Sequence, residues 1–177
     1  MRYYIGIDIG KLGAIVIQDI KTNEILTFPM PILANELDVK KLNDFLLPFK
    51  DSKETICAFE DLRAIFNVSA KSTFSFGFIA GITEGIVSVL NIPYVKVQAK
   101  IWQKQAFLGI KEIRKPSKID KNGKERKGGL ETKQMALLAA KRLYPNTELR
   151  ATQKSKKEHE GIVDALLISW WLIQNYR

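Results

Sequence analysis

One histidine and one cysteine in 177 residues leave almost nothing from which to build a zinc site, a Cys–His nucleophile pair or an internal disulfide. Cys57 stands alone in an apolar run and fits a reducing compartment, so a soluble, unexported, cytoplasmic protein is the expectation. Prolines are also few, six in all, and Pro31, Pro93 and Pro145 fall where the pattern changes period, as a residue without an N–H requires. The apolar stretch from Ala165 to Ile173 is interrupted by Ser169 and stops well short of the ~20 residues that a membrane crossing needs. Near the N-terminus Asp8 and Lys11 break any clean apolar run of the kind a secretory signal uses. No membrane partner is expected. Repeats and linker-like segments are missing too, and the length suits a single domain over residues 1–177.

Acidic residues are scarce in one segment. Between Lys96 and Arg142 lie 14 of the 28 Lys and Arg but only 4 of the 19 Asp and Glu, so the whole net charge of +9 resides there and the rest of the chain is close to neutral. A basic segment on an otherwise neutral fold is the footprint of a polyanion, nucleic acid before an anionic membrane surface. A solvated Lys-rich loop would give the same count. Residues 115–129 are charged and turn-forming with little to bury, so a basic loop over about 110–129 is expected to be mobile without a ligand.

Apolar periodicity predicts strands at 3–9, 13–19, 24–29, 55–60 and 93–97, and helices near 38–48, 69–91, 98–108, 130–142 and 158–175. Short turns between the first three strands make an antiparallel meander. The later two, each reached through a helix, join in parallel. The expected fold is α/β, a mixed five-stranded sheet flanked by helices.

Asp8 lies in the first strand, and period-2 alternation puts it on one face with Tyr4, Gly6 and Gly10, opposite Tyr3, Ile5, Ile7 and Ile9. A carboxylate inside a strand is costly unless paired or holding a cation, and flanking glycines leave room for something bulky. The simpler reading is an Asp that ends a strand at a turn. Glu60 closes the apolar strand from Thr55 at the rim where such sheets place active sites. On the last helix Glu160 and Asp164 are one turn apart, so they project together and repel, and Leu167, Ile168 and Trp171 continue their stripe toward the core. A cation would offset that repulsion. Hard oxygen donors suit Mg²⁺ or Mn²⁺, and two ions about 4 Å apart would serve an in-line phosphodiester displacement. His159 is either a proton shuttle or ligand beside the acids, or the residue that starts the helix.

Taken together, Gly6-Ile7-Asp8-Ile9-Gly10, Phe59-Glu60 and His159-Glu160-Gly161-Ile162-Val163-Asp164-Ala165 resemble the RuvC-type Holliday junction resolvases of the ribonuclease H-like superfamily. Asn67-Val68-Ser69-Ala70, Phe74-Ser75-Phe76-Gly77, Pro93-Tyr94-Val95-Lys96-Val97 and Lys100-Ile101-Trp102-Gln103-Lys104 are similar to stretches of its phage- and poxvirus-type members, which would make the chain phage- or virus-encoded and active in a host cell. The resemblance implies a homodimer that resolves four-way DNA junctions by paired symmetric nicks using Mg²⁺. It puts Asp8, Glu60 and Asp164 at the family's first-strand Asp, mid-chain Glu and final Asp. Gly161 stands where cellular bacterial members carry another acid, so the fourth ligand here is Glu160 or His159. The basic segment itself supplies the candidate DNA contacts, Lys96, Lys100, Lys104, Lys111, Arg114, Lys115, Lys118, Lys121, Lys124, Arg126 and Lys127, and Phe66, in a turn after Glu60, is the candidate for base stacking. Other readings are a nuclease of this fold acting on RNA–DNA hybrid or general branched DNA, and a noncatalytic nucleic-acid-binding subunit. The apolar helix near 69–91, rich in Phe, Ile and Gly, suits a two-fold partner or full burial inside one chain.

Overall fold

A computed structural model describes residues 1–61, 69–119 and 125–177. Strands β1 (Tyr3–Asp8), β2 (Ala14–Asp19) and β3 (Glu24–Pro29) form the meander. They are followed by a small hairpin of β4 (Ile32–Leu33) and β5 (Glu36–Leu37), by helix α1 (Val39–Leu46) and by β6 (Thr55–Glu60). Helix α2 (Ala70–Val89), strand β7 (Tyr94–Val97), helix α3 (Ala99–Ala106), hairpin strands β8 (Lys118–Ile119) and β9 (Glu125–Arg126), and helices α4 (Thr132–Leu143) and α5 (Glu160–Tyr176) complete the order. The main sheet runs β3-β2-β1-β6-β7, antiparallel from β3 to β1 and parallel from β1 to β7. This is the expected mixed five-stranded sheet.

Strand alternation divides the interior into two cores. Tyr4, Val16, Ile56, Ala58 and Val97 face α3, α4 and α5, whereas Ile5, Ile7, Ile15, Ile17, Cys57 and Phe59 face α1 and α2. Asp8 follows the parity of Tyr4 and Gly6, and Glu60 that of Ile56 and Ala58, so both belong to the α5 side. Gly6 is what lets α5 lie directly on β1. A Cβ there would come within 2.1 Å of the Ala165 carbonyl oxygen.

The structure departs from expectation at the edges of elements. α1 stops at Leu46, and Pro48 sits in a 3-10 turn over Leu47–Phe49. The basic loop contains a short hairpin, β8 on β9, and an Arg114–Leu130 bridge closes its base. Strands of two residues are too short for periodicity to reveal. Ile119 of this hairpin is exposed.

α2 is the unusual layer. Among the described residues it is the one helix long and apolar enough to cross a membrane by length and composition. Within this domain Ile79, Thr83 and Val87 nevertheless pack inward, and Glu84 is bonded to Lys96 and to the Tyr94 hydroxyl of β7.

Candidate active site

β1 and β6 are parallel neighbours in the register Ile7↔Phe59, so the next residues, Asp8 and Glu60, emerge side by side at the carboxyl ends of adjacent strands. α5 crosses the same end and adds Asp164. The helix starts where it does because His159 caps it: the imidazole Nδ1 accepts the Ile162 N–H at 3.2 Å, and the His159 backbone N–H donates to the Leu149 carbonyl at 2.8 Å. Starting the helix is thus a role His159 fills with one ring nitrogen. Burial lowers its pKa, opposed by the nearby Glu160.

Gly161 seats the first turn of α5 against the β1–β2 turn. A Cβ at 161 would lie 2.3 Å from the Leu12 carbonyl oxygen and 2.6 Å from Gly13 Cα. No side chain fits at that position while the helix stays where it is, which explains why an acid three residues before Asp164 is missing from this chain. The β1–β2 turn is itself tight, closed by Gly13 N–H donating to the Gly10 carbonyl at 3.0 Å.

Asp8, Glu60 and Asp164 are each half-buried, and Asp8 feels the charge of the other two. Burial, then Asp164 and Glu60, push the Asp8 carboxyl up to about 8. Burial, then Glu60 and Glu160, push Asp164 up to about 7 against the opposing pull of Lys133. Burial raises Glu60 as well, but here a hydrogen bond opposes it, donated by the Trp102 indole N–H to Oε1 at 3.0 Å. Glu160 behaves differently from the inward-facing acid its stripe led us to expect: it is exposed and ion-paired with Lys133 at the start of α4. To reach a cation beside Asp164 it would have to leave that partner.

This donor set fits a divalent ion. Three hard carboxylates share one half-buried place, and among the described residues no neighbouring cation opposes the rise at Asp8. Among the described residues, too, no group of three His, Cys, Asp or Glu side chains is arranged to hold an ion by itself. Mg²⁺ does not need such a cage, since it commonly takes one or two carboxylates and keeps several waters. The cleft in front of Asp8 and Asp164 is walled by Lys133 and Glu160 on one side and by Lys71, Ser75 and Phe76 of α2 on the other.

The basic residues are scattered in role. Lys100, Lys104, Lys111, Lys115 and Lys127 are exposed. Lys96 is held by Glu84 at 2.6 Å, and Arg114 pairs with Glu112 while donating to the Gly128 carbonyl at 3.2 Å, so neither is a free cation. Lys118 and Arg126 lie on the β8–β9 hairpin. Phe66, Lys121 and Lys124 fall outside the described residues. Sequence reading missed Lys71, Lys133 and Trp102. The two lysines carry no local signal, because only tertiary packing brings α2 and α4 to the cleft. Trp102 did carry one: an indole on a short helix that follows directly from the strand beside Glu60.

No protein-family model and no curated protein matches the chain. Solved structures do. The Thermus thermophilus RuvC structure aligns over 96% of this chain and 94% of its own, with a TM-score of 0.51 at 15% identity. T. thermophilus RuvC in complex with a Holliday junction substrate aligns over 98% of this chain and 93% of its own, with a TM-score of 0.55 at 14% identity. The chain has the RuvC fold. At that identity the likeness is one of architecture, and it extends over nearly the whole RuvC chain.

Proposed function

We propose that the protein is a Mg²⁺- or Mn²⁺-dependent endonuclease that resolves four-way DNA junctions by paired symmetric nicks. The observation that carries this reading is the convergence of Asp8, Glu60 and Asp164 at the carboxyl end of the parallel strands of a RuvC fold, with carboxyl groups that burial and mutual repulsion leave short of counter-charge. Asp8, Glu60 and Asp164 would hold the metal, with Glu160 or His159 completing the set, and the metal would supply an activated water and offset charge at the phosphate. The chain's own residues do the rest. Lys71 flanks the cleft and attracts the phosphate backbone, Lys133 would join it once Glu160 leaves their ion pair, and exposed Lys100, Lys104, Lys111, Lys115 and Lys127 extend the grip along the duplex arms without reading sequence.

Two nicks in a two-fold junction call for two sites, hence two copies. Supporting a homodimer, α2 exposes Phe74, Phe78 and Val89, and beside its Gly77, Gly81 and Gly85 there is open space where a Cβ would stand. A second copy would cover that apolar helix.

The test is incubation with a synthetic four-way junction, a matched linear duplex and an RNA–DNA hybrid, each with Mg²⁺ or with EDTA. The expected result is Mg²⁺-dependent paired nicking of the junction alone. Cleavage of the hybrid, or of any branched DNA equally, would move the substrate class within the same chemistry. Binding without cleavage under all conditions would leave a nucleic-acid-binding subunit.

A further inference from the structure

Trp102 has a job that packing alone does not require. It is fully buried on α3, in edge contact with Phe107, and its one polar atom donates to Glu60 Oε1 at 3.0 Å. β7 runs alongside β6 with Val97 opposite Glu60, and α3 turns back from the end of β7, so the indole arrives over the carboxylate from the strand's own neighbour. An apolar residue of similar size would fill the same space. The indole adds a directed donor that ties down one carboxylate oxygen while leaving Oε2 out of that bond.

We infer that Trp102 is a positioning residue, which orients the Glu60 carboxylate for a divalent cation shared with Asp8 and Asp164. The inference rests on the proposed reading of those three acids as a metal site. Residues that hydrogen-bond a metal ligand from behind typically change metal affinity by 10–100-fold when removed, which sets the size of the effect.

Trp102→Phe keeps an aromatic ring of smaller volume and removes the donor. Mn²⁺ binding by the full chain, followed through the spin-resonance signal of the free ion, is expected to weaken at least tenfold, with junction binding in EDTA close to that of the parent and only the drop in melting temperature that the lost volume brings. In the parent, the Trp102 indole ¹⁵N–¹H resonance, assigned against Trp170→Phe and Trp171→Phe, is expected to shift on adding Mg²⁺, because the charge on its acceptor changes. That signal decides the matter even if Trp102→Phe fails to fold. Parental Mn²⁺ affinity in Trp102→Phe, or an indole resonance indifferent to Mg²⁺, would overturn the positioning role while leaving the metal site intact. A parent chain that binds no Mn²⁺ would overturn the proposed function and this role with it.

Discussion

α5 and α2 both border the acidic cleft, yet α5 is buried along most of its length whereas α2, the longer helix, buries Ile79, Thr83 and Val87. Their glycines mark the difference. Around α5, Gly6 and Gly161 are places where backbone meets backbone inside the chain, and an added methyl would collide with a carbonyl. On α2, Gly77, Gly81 and Gly85 face open space. The same residue type seals one helix to its strand and leaves the other with open space that no described residue fills. The helix that carries acids is fixed by the fold before any ligand arrives, and the helix opposite is free to meet something else.

Four experiments would break or sharpen that contrast. The largest effect belongs to the acids that α5 and the strands bring together. If the proposed metal-dependent cleavage holds, Asp8→Asn is expected to lower junction cleavage about 10³-fold or more, because a catalytic metal would contribute several kcal/mol, with junction binding kept. The same variant should be more stable than the parent near pH 8 in EDTA. The sign follows from the raised folded pKa: between the ordinary carboxylate value and about 8 the unfolded chain has lost the proton that the folded chain keeps, so stability falls as pH rises through that window. Melting temperatures in EDTA should therefore decline from pH 4 to pH 8 in the parent, decline less in Asp8→Asn, and recover with Mg²⁺ in the parent alone. A flat profile would mean the carboxyls are less buried than their geometry implies.

Next in size is Gly161→Ala. Overpacking at a backbone contact is expected to cost about 3 kcal/mol, read as a drop of roughly 10 °C in melting temperature. An unchanged melting point would show that the first turn of α5 can lift from the β1–β2 turn. A smaller effect should come from replacing Lys100, Lys104, Lys111, Lys115 and Lys127 by Gln. Junction affinity falls uniformly across sequences, and the slope of log affinity against log salt flattens by about 0.9 for each phosphate that is no longer neutralised. An unchanged slope would return these lysines to ordinary solvated surface. The smallest is Gly81→Ala, expected to stabilise the lone helix by about 1 kcal/mol while weakening self-association in sedimentation equilibrium. Tighter association would place the partner elsewhere.

Much of this was legible in the sequence because it was written in strict alternation. Asp8 and Glu60 share a face with small and apolar neighbours in strands whose pairing follows from short turns and helical crossovers, so their meeting at one sheet end could be read without coordinates. Asp164 was legible through the core stripe of α5. Glu160 was not, since a position one turn from an inward residue at the very start of a helix can still swing to solvent, and Lys133 on α4 draws it there. Gly161 looked like a missing acid, and only the approach of Leu12 and Gly13 gives its physical reason. The short hairpin in the basic loop escaped because strands of two residues have no period.

The seating of α5 on Gly6 has a consequence in time. Asp8 and Glu60 come early in the chain and Asp164 close to its end, and contacts so distant in sequence are among the slowest to form. Until α5 docks, the first two acids lack the helix that covers their face of the sheet and brings Asp164 beside them. Folding and, on the proposed reading, the capacity to bind a cation would therefore be completed by one and the same event.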